Sequence, residues 1–322
     1  MDNYRDYFTR EELVRELAKA PYTPGRLGEL GIFESMPLSG TIFSVEEAVK
    51  DGGRVLTAMP RGAPRQQTRL DKRKVHSFVV SDQYGDEGAV MADEVLNARA
   101  AGPSGAKEVI ENRRARVVAK LRRSMDLTHE TRRMGCLLSP ATTEFGAAAA
   151  GVTIAVQSDA TKLRQEIFNK LTLPIEAELD GLSHSGLRVL CSDGYWSDLI
   201  EAKSIKETFL NYQAAAELRG AVAESFVFGG VTWERYRGTS TCKIPDNEAR
   251  AIPTGVQDVF WQAFAPNDTI ESVGNAALGQ PYYLGSKPIT DSQGTKGYEI
   301  SIASHVRMLC GRPKVIIPIA KA

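Results

Sequence analysis

The chain has 322 residues, 42% of them hydrophobic, and carries 40 basic and 40 acidic side chains. That length supports one large domain or two modest ones with well-filled cores, and the even charge balance selects no class of partner. No run approaches the roughly 18 apolar residues of a membrane span, and the charged opening MDNYRDYFTREELVRELAKAPYTPG lacks the apolar stretch of a secretory signal, so a soluble intracellular product with no membrane partner is expected.

In chain order, residues 9 to 19 (TREELVRELAK) predict a short amphipathic helix, with Thr9 and Glu12 in capping-box register and Leu13, Val14 and Leu17 on one side. Beyond Pro21, Pro24 and Gly25, the alternation of Thr41, Phe43 and Val45 predicts a strand, ended by Asp51-Gly52-Gly53. Two apolar stretches, Val55 to Met59 and Val75 to Val80, flank the polar, basic PRGAPRQQTRLDKRK and read as a long hairpin reaching into solvent. A solitary two-stranded ribbon is marginal in water, so a projecting hairpin hints at a neighbour that covers it.

A helix over Gly88 to Ala100 then leads to the longest element, Ser104 to about Met134. Gly102 and Pro103 break the preceding segment, Ser104 can cap the new one, and Gly135 with Pro140 close it. Ile110, Val117, Val118, Leu121 and Met125 form one apolar stripe, while Arg113, Arg114, Arg116, Lys120, Arg122 and Arg123 cover the rest, with Glu108, Glu111, Asp126 and Glu130 offsetting much of the charge. At about 1.5 Å per residue such a rod is roughly 45 Å long and suggests an elongated subunit in which it lies across a sheet.

Val152, Ile154 and Val156 predict a strand, and Ser158 opens a helix in which Leu163, Ile167, Leu171, Ile175 and Leu179 recur at every fourth residue, with Pro174 as a possible kink and Gly181 as the stop. Leu187 to Cys191 reads as a buried strand followed by a helix capped by Ser192 or Asp193. From Phe226 onward, FVFGGVTWERYRG, Ala251 to Ile252, Val259 to Phe264, YEISIASHVRMLC and KVIIPIA are strand-like.

Little of this points to chemistry. His76, His129, His184 and His305 are far apart and belong to no HExxH motif, and Cys136, Cys191, Cys242 and Cys310 form no CxxC pair, which favours free, mostly buried thiols and no metal site. Neither GxGxxG nor GxxxxGK occurs, so no nucleotide cofactor is expected, and GLSHSG at 181 to 186 misses the GxSxG spacing of a nucleophile elbow. No catalytic residue is assigned. Two basic clusters remain: Arg61, Arg65, Arg69, Lys72, Arg73 and Lys74 in the hairpin tip, and the long helix with Arg113, Arg116, Lys120 and Arg123. Without interleaved aromatics they read first as a solvated face, with weak non-specific phosphate contact ahead of sequence-specific DNA binding. The aromatics Tyr195, Trp196, Phe209 and Tyr212 read as core packing.

The segments VLCSDGYWSDLI (189–200), FGGVTWERYRG (228–238), IPDNEAR (244–250), FAPND (264–268) and LCGRP (309–313), in that order, resemble the phage capsid protein E family, which includes the lambda major head protein. The resemblance covers nearly the whole chain. It implies the α+β Hong Kong 97-type capsid fold: an N-terminal arm (1–30), a peripheral strand segment (31–53), an extended-loop hairpin (54–82), a peripheral domain (83–156) with a spine helix at 104–138, an axial domain (157–245) and returning strands (246–322). Capsid proteins of this fold often begin with a scaffolding segment that a protease removes; none precedes the arm here, so an uncleaved subunit is expected. The implied function is that of the major head protein of a tailed double-stranded DNA phage, not an enzyme, assembled in the host cytoplasm and located in the virion. Its implied partners are copies of itself in pentamers and hexamers, packaged DNA without sequence preference, and portal, scaffold and decoration proteins. The hairpin cations would then meet neighbouring subunits, and those of the helix neighbours or DNA. An encapsulin-like compartment shell, or an enzyme with an unrecognised site, are the alternatives.

Overall fold

A computed structural model describes residues 7–20, 25–46, 74–100, 106–179, 181–206, 209–210, 225–270, 272, 278–292 and 294–321. The first half of the chain forms α1 (Arg10–Lys19), α2 (Arg26–Glu29), β1 (Glu34–Pro37), β2 (Ile42–Glu46), β3 (Val75–Val79), β4 (Gln83–Met91), α3 (Ala92–Ala100), α4 (Ala106–Leu138) and β5 (Val152–Ile154). There follow α5 (Ala160–Ile167), a π-helical turn (Phe168–Thr172), α6 (Leu173–Leu179), β6 (Gly186–Cys191), α7 (Asp193–Glu201), β7 (Ser225–Phe228), β8 (Val231–Arg235), β9 (Glu248–Thr254), β10 (Phe260–Phe264), β11 (Tyr283–Asp291), β12 (Gly294–Cys310), a 3-10 turn (Pro313–Val315) and β13 (Ile317–Lys321). They group into two compact units: Met1–Phe43, Val79–Arg133 and Gln262–Met308, and Ser44–Phe78, Met134–Trp261 and Leu309–Ala322.

In the first unit, a sheet in the order β1-β10-β12-β11, with β4 also paired to β12, supports the long helix. The predicted stripe is the contact: Ile110, Val118, Leu121 and Met125 are buried with Val90, Leu284, Ile300 and Ile302, and Val117 packs beside them. Phe8 and Leu13 close the same core, Phe8 stacking on Tyr298 with ring centroids 4.2 Å apart. Four local expectations need correction. Val14 is 49% exposed, so the apolar side of α1 is Leu13 with Leu17 only. Thr9 stands at the N-cap of α1 but its side chain makes no capping bond, and Glu12 turns instead to Arg15 and Arg114. Gly88 to Met91 are not helical but end β4, with Gly88 opposite Ile300. A Cβ at Gly88 would lie 2.7 Å from Val117 Cγ1, so the missing side chain is what lets strand and helix approach. Lastly, Gly135 does not end α4, which runs to Leu138. A glycine inside a helix costs about 1 kcal/mol, which burial of Met134 and Leu137 on either side outweighs.

The second unit holds a mixed six-stranded sheet, β5-β13-β9-β6-β8-β7, in which β6 runs parallel to β8 and antiparallel to β9. Gly229 and Gly230, with φ of 64° and 81°, form the two-residue turn between β7 and β8 that only residues tolerant of positive φ allow. Ser192 caps α7, its hydroxyl accepting from Tyr195 N, as expected. Leu163, Ile167, Leu171, Ile175 and Leu179 are all at most 1% exposed. A four-residue repeat drifts by about 40° per step on an α-helix, or about 160° over the stripe, too far for one face. The π-turn resolves this: Leu173 N donates to Phe168 O, five residues back, so one extra residue is taken up and the later leucines return to the buried side. The same local widening precedes Pro174, whose nitrogen has no proton to donate.

β2 and β3 pair as a separate two-stranded ribbon. The described partner of the Val75 stretch is therefore Ile42–Glu46; the predicted arm Val55 to Met59 lies outside the described residues. Strand β11, with Pro288 inside it, was not signalled by alternation and is held by its pairing with β12.

Candidate assembly surfaces

Helix α4 sorts its cations by position. Arg116, Lys120 and Arg123 are exposed and, spaced i, i+4 and i+7, share one stripe; they make no ion pair or hydrogen bond among the described residues. Arg113 is half-buried, 3.8 Å from Glu94. Arg132 lies over the Tyr84 ring, 4.6 Å from its centroid, and Arg133 binds Gln262 at 3.0 Å and Glu130 at 3.6 Å. The sequence grouping of Arg113, Arg116, Lys120 and Arg123 thus resolves into three cations with no partner among the described residues and one paired one.

Four charged residues read from the sequence as part of the polar coat are instead interior or partly so. Arg114 is 3% exposed, donates to Tyr7 O at 2.6 Å and meets the carboxylates of Glu12 (3.4 Å) and Glu16 (3.2 Å). Arg122 donates to the carbonyls of Leu17 and, at 2.6 Å, Ala20. Buried Glu130 accepts from Leu27 N (2.8 Å) and Gly28 N (3.2 Å), and buried Asp126 accepts from the Tyr282 hydroxyl. A signal was present: Ile110, Arg114, Val118, Leu121 and Met125 share one helical phase, so an arginine in the apolar stripe had to find buried partners.

The ribbon strands alternate cleanly. Phe43, Val45 and Phe78 are buried, whereas Ile42 (67%), Val75 (57%) and Val79 (45%) are exposed, with Ser44 and Ser77 hydrogen-bonded at 3.1 Å. Lys74 is exposed at the start of β3; Arg61, Arg65, Arg69, Lys72 and Arg73 lie outside the described residues.

Three of the histidines are held by neighbouring side chains. His129 Nε2 lies 2.9 Å from Ser304 Oγ, and burial, with Arg133 nearby, lowers its pKa to about 4, so the ring is neutral. His305 Nε2 lies 3.2 Å from Asn267 Oδ1, and His184 3.5 Å from Glu176. Burial pushes the Cys136 and Cys191 thiols up and that of Cys310 to about 12, far from a reactive thiolate. Cys136 is half-buried; the other three cysteines are buried, and all four are free. Among the described residues no three His, Cys, Asp or Glu side chains could share a metal ion, and no helix is long and apolar enough to cross a membrane. Residues 181–185 of GLSHSG are irregular and Gly186 opens β6. Tyr195 and Trp196 are buried, with Phe209 edge-on to Trp196 at 5.9 Å; Tyr212 lies outside the described residues.

Residues 9–321 match the sequence profile of the phage major capsid protein E family. No curated protein sequence matches the chain. Among solved structures, it is similar to a prophage protein of Escherichia coli CFT073 assigned to a capsid (TM-score 0.59, 12% identity, 98% of this chain and 99% of that one). It is also similar to the capsid of cyanophage P-SCSP1u (TM-score 0.52, 9% identity, 90% and 86%) and to that of cyanophage Pam1 (TM-score 0.51, 12% identity, 95% and 92%). At these identities the likeness is one of fold, the Hong Kong 97-type capsid fold.

Proposed function

Because this chain belongs to the phage major capsid protein E family, we propose that it builds the head of a tailed double-stranded DNA phage, as pentamers and hexamers closed into an icosahedral shell around the genome. The family match over residues 9–321 carries this reading. It favours a viral head over an encapsulin-like compartment, and a structural role over an enzymatic one.

Three surfaces suit assembly. The exposed side of the ribbon bears Ile42, Val75 and Val79 beside Ser44 and Ser77, and the apolar surface of those three residues leaves a cost that a second copy would remove. Obligate contacts of that kind commonly bury more than about 2,000 Å². The cationic hairpin tip, Arg61, Arg65, Arg69, Lys72, Arg73 and Lys74, would reach acidic groups of the adjacent subunit. On α4, Arg116, Lys120 and Arg123 offer unpaired charge to a neighbour or to DNA phosphates, a contact without sequence preference that weakens steeply with salt. Portal, scaffold and decoration proteins would complete the particle in the host cytoplasm.

Electron microscopy of the purified chain tests the reading: closed shells are expected, and monodisperse small particles under all assembly conditions would refute it. Exposed ion pairs are worth about 0 to 1 kcal/mol each, so single charge reversals in the hairpin should be tolerated. The quadruple change of Arg61, Arg65, Arg69 and Arg73 to Glu should block assembly; normal shells from that variant would remove the hairpin from the interface.

A further inference from the structure

Three charged side chains of α4, Arg114, Arg122 and Glu130, follow one another at eight-residue intervals, and the groups they hold ascend in the same order: Tyr7 to Glu16, Leu17 and Ala20, then Leu27 and Gly28. The N-terminal segment therefore runs alongside the helix, in the same direction, over roughly 24 Å at about 1.5 Å per residue. Most of the groups held are main-chain atoms, and four of them are groups that helix ends leave without partners. The carbonyls of Leu17 and Ala20 belong to the C-terminal turn of α1, the amides of Leu27 and Gly28 to the first turn of α2. The signs match as well, since the arginine meets a negative helix end and the carboxylate a positive one. Between the clamps, Phe8, Leu13 and Leu27 are buried. At Gly25 a Cβ would fall 2.1 Å from Glu130 Cδ, so the chain enters α2 directly against the carboxylate.

We infer that residues 7–20 and 25–29 form an intramolecular strap, folded onto α4 of its own subunit before any assembly, and that Arg114, Arg122 and Glu130 are the positioning residues that fasten it. The strap completes the apolar core of its unit and withdraws these three charges from any neighbour or nucleic acid. An N-terminal arm recruited by an adjacent subunit would behave in the opposite way.

Amide exchange on the full-length chain, as isolated subunits and as shells, separates the two. In isolated wild-type subunits, amides in 10–19 should exchange at least tenfold more slowly than in an unstructured peptide and change little on assembly. Arg114→Gln with Arg122→Gln should abolish that protection while leaving β6 protected; Arg116→Gln with Arg123→Gln should alter neither. Peptide-like exchange of 10–19 in wild-type subunits, with protection gained only in shells, would overturn the proposal. So would undiminished protection in the Arg114/Arg122 variant. Should that variant not fold, the wild-type comparison and Arg114→Lys, which keeps one donor nitrogen and the charge and should show intermediate protection, still decide it.

Discussion

Replacing Gly88 by Ala tests how closely β4 and α4 approach. The added methyl would sit 2.7 Å from Val117 Cγ1, about 1 Å inside ordinary carbon contact, and 4.0 Å from Leu121 Cδ1, where it would be accommodated. Overpacking of this kind costs about 1 to 3 kcal/mol, offset by about 0.4 to 1 kcal/mol because alanine restricts the unfolded chain. The net expectation for Gly88→Ala is a loss of about 1 to 2 kcal/mol. Val117→Ala removes the obstructing atom and, at a half-buried site, should cost about 1 kcal/mol. In the double variant the clash is gone and the new methyl partly fills the space, so the combined loss should be about 1 kcal/mol, smaller than the sum. Urea unfolding of isolated subunits followed by circular dichroism measures all four corners of the cycle. Additivity within about 0.5 kcal/mol would mean that the two residues do not meet and that the glycine is there for another reason.

Further measurements address other parts of the molecule. Leu121→Ala, at a site 2% exposed in the core beneath α4, should cost about 2 to 5 kcal/mol, whereas Arg116→Gln with Arg123→Gln should leave subunit melting unchanged and affect at most assembly or genome retention; equal losses in thermal melts would show that the helix faces are misassigned. His129 has a folded pKa of about 4 against 6.5 for the free side chain, so the unfolded chain binds the extra proton first. Its contribution is complete above pH 6.5 and is lost as pH falls towards 4, by up to roughly 3 kcal/mol. His129→Gln should flatten the stability profile in that window, and an unchanged slope would show that the ring is not kept neutral by burial.

What the sequence revealed, and what it hid, follows from the range of the forces involved. The stripe of α4 and the four-residue repeat of Leu163 to Leu179 are local periodicities, and each was legible with its buried face. The strand at Gly88 was not, because its identity depends on Val117 and Ile300, residues distant in the chain. Arg114, Arg122, Asp126 and Glu130 looked like solvated charge since their partners, Tyr7 to Gly28 and Tyr282, are fixed only by tertiary packing. β11 escaped notice because Pro288 argues locally against a strand and only its pairing with β12 overrules it. The basic run from Arg61 to Lys74 stands out in the sequence as a cluster, but a cluster does not name its partner. An assembly surface consists of ordinary side chains, and the order of segments along the whole chain carried more functional information than any single motif.

The π-turn at Phe168–Thr172 has an implication for how this segment tolerates changes in length. It stores one residue more than a regular helix would hold between Ile167 and Ile175. Deleting the exposed Asn169 would convert the stripe spacing from 4-4-4-4 to 4-3-4-4, the pattern an unbroken α-helix presents on one face. Such a deletion is therefore expected to keep the stripe buried, at a cost of about 3 kcal/mol where Pro174 then stands inside an unbroken helix, whereas inserting a residue at the same place would turn Ile175 and Leu179 by about 100° away from their buried side. The helix behaves as a spliced element with slack in one direction only, and that asymmetry, rather than the identity of any side chain, sets which lengths the segment can adopt.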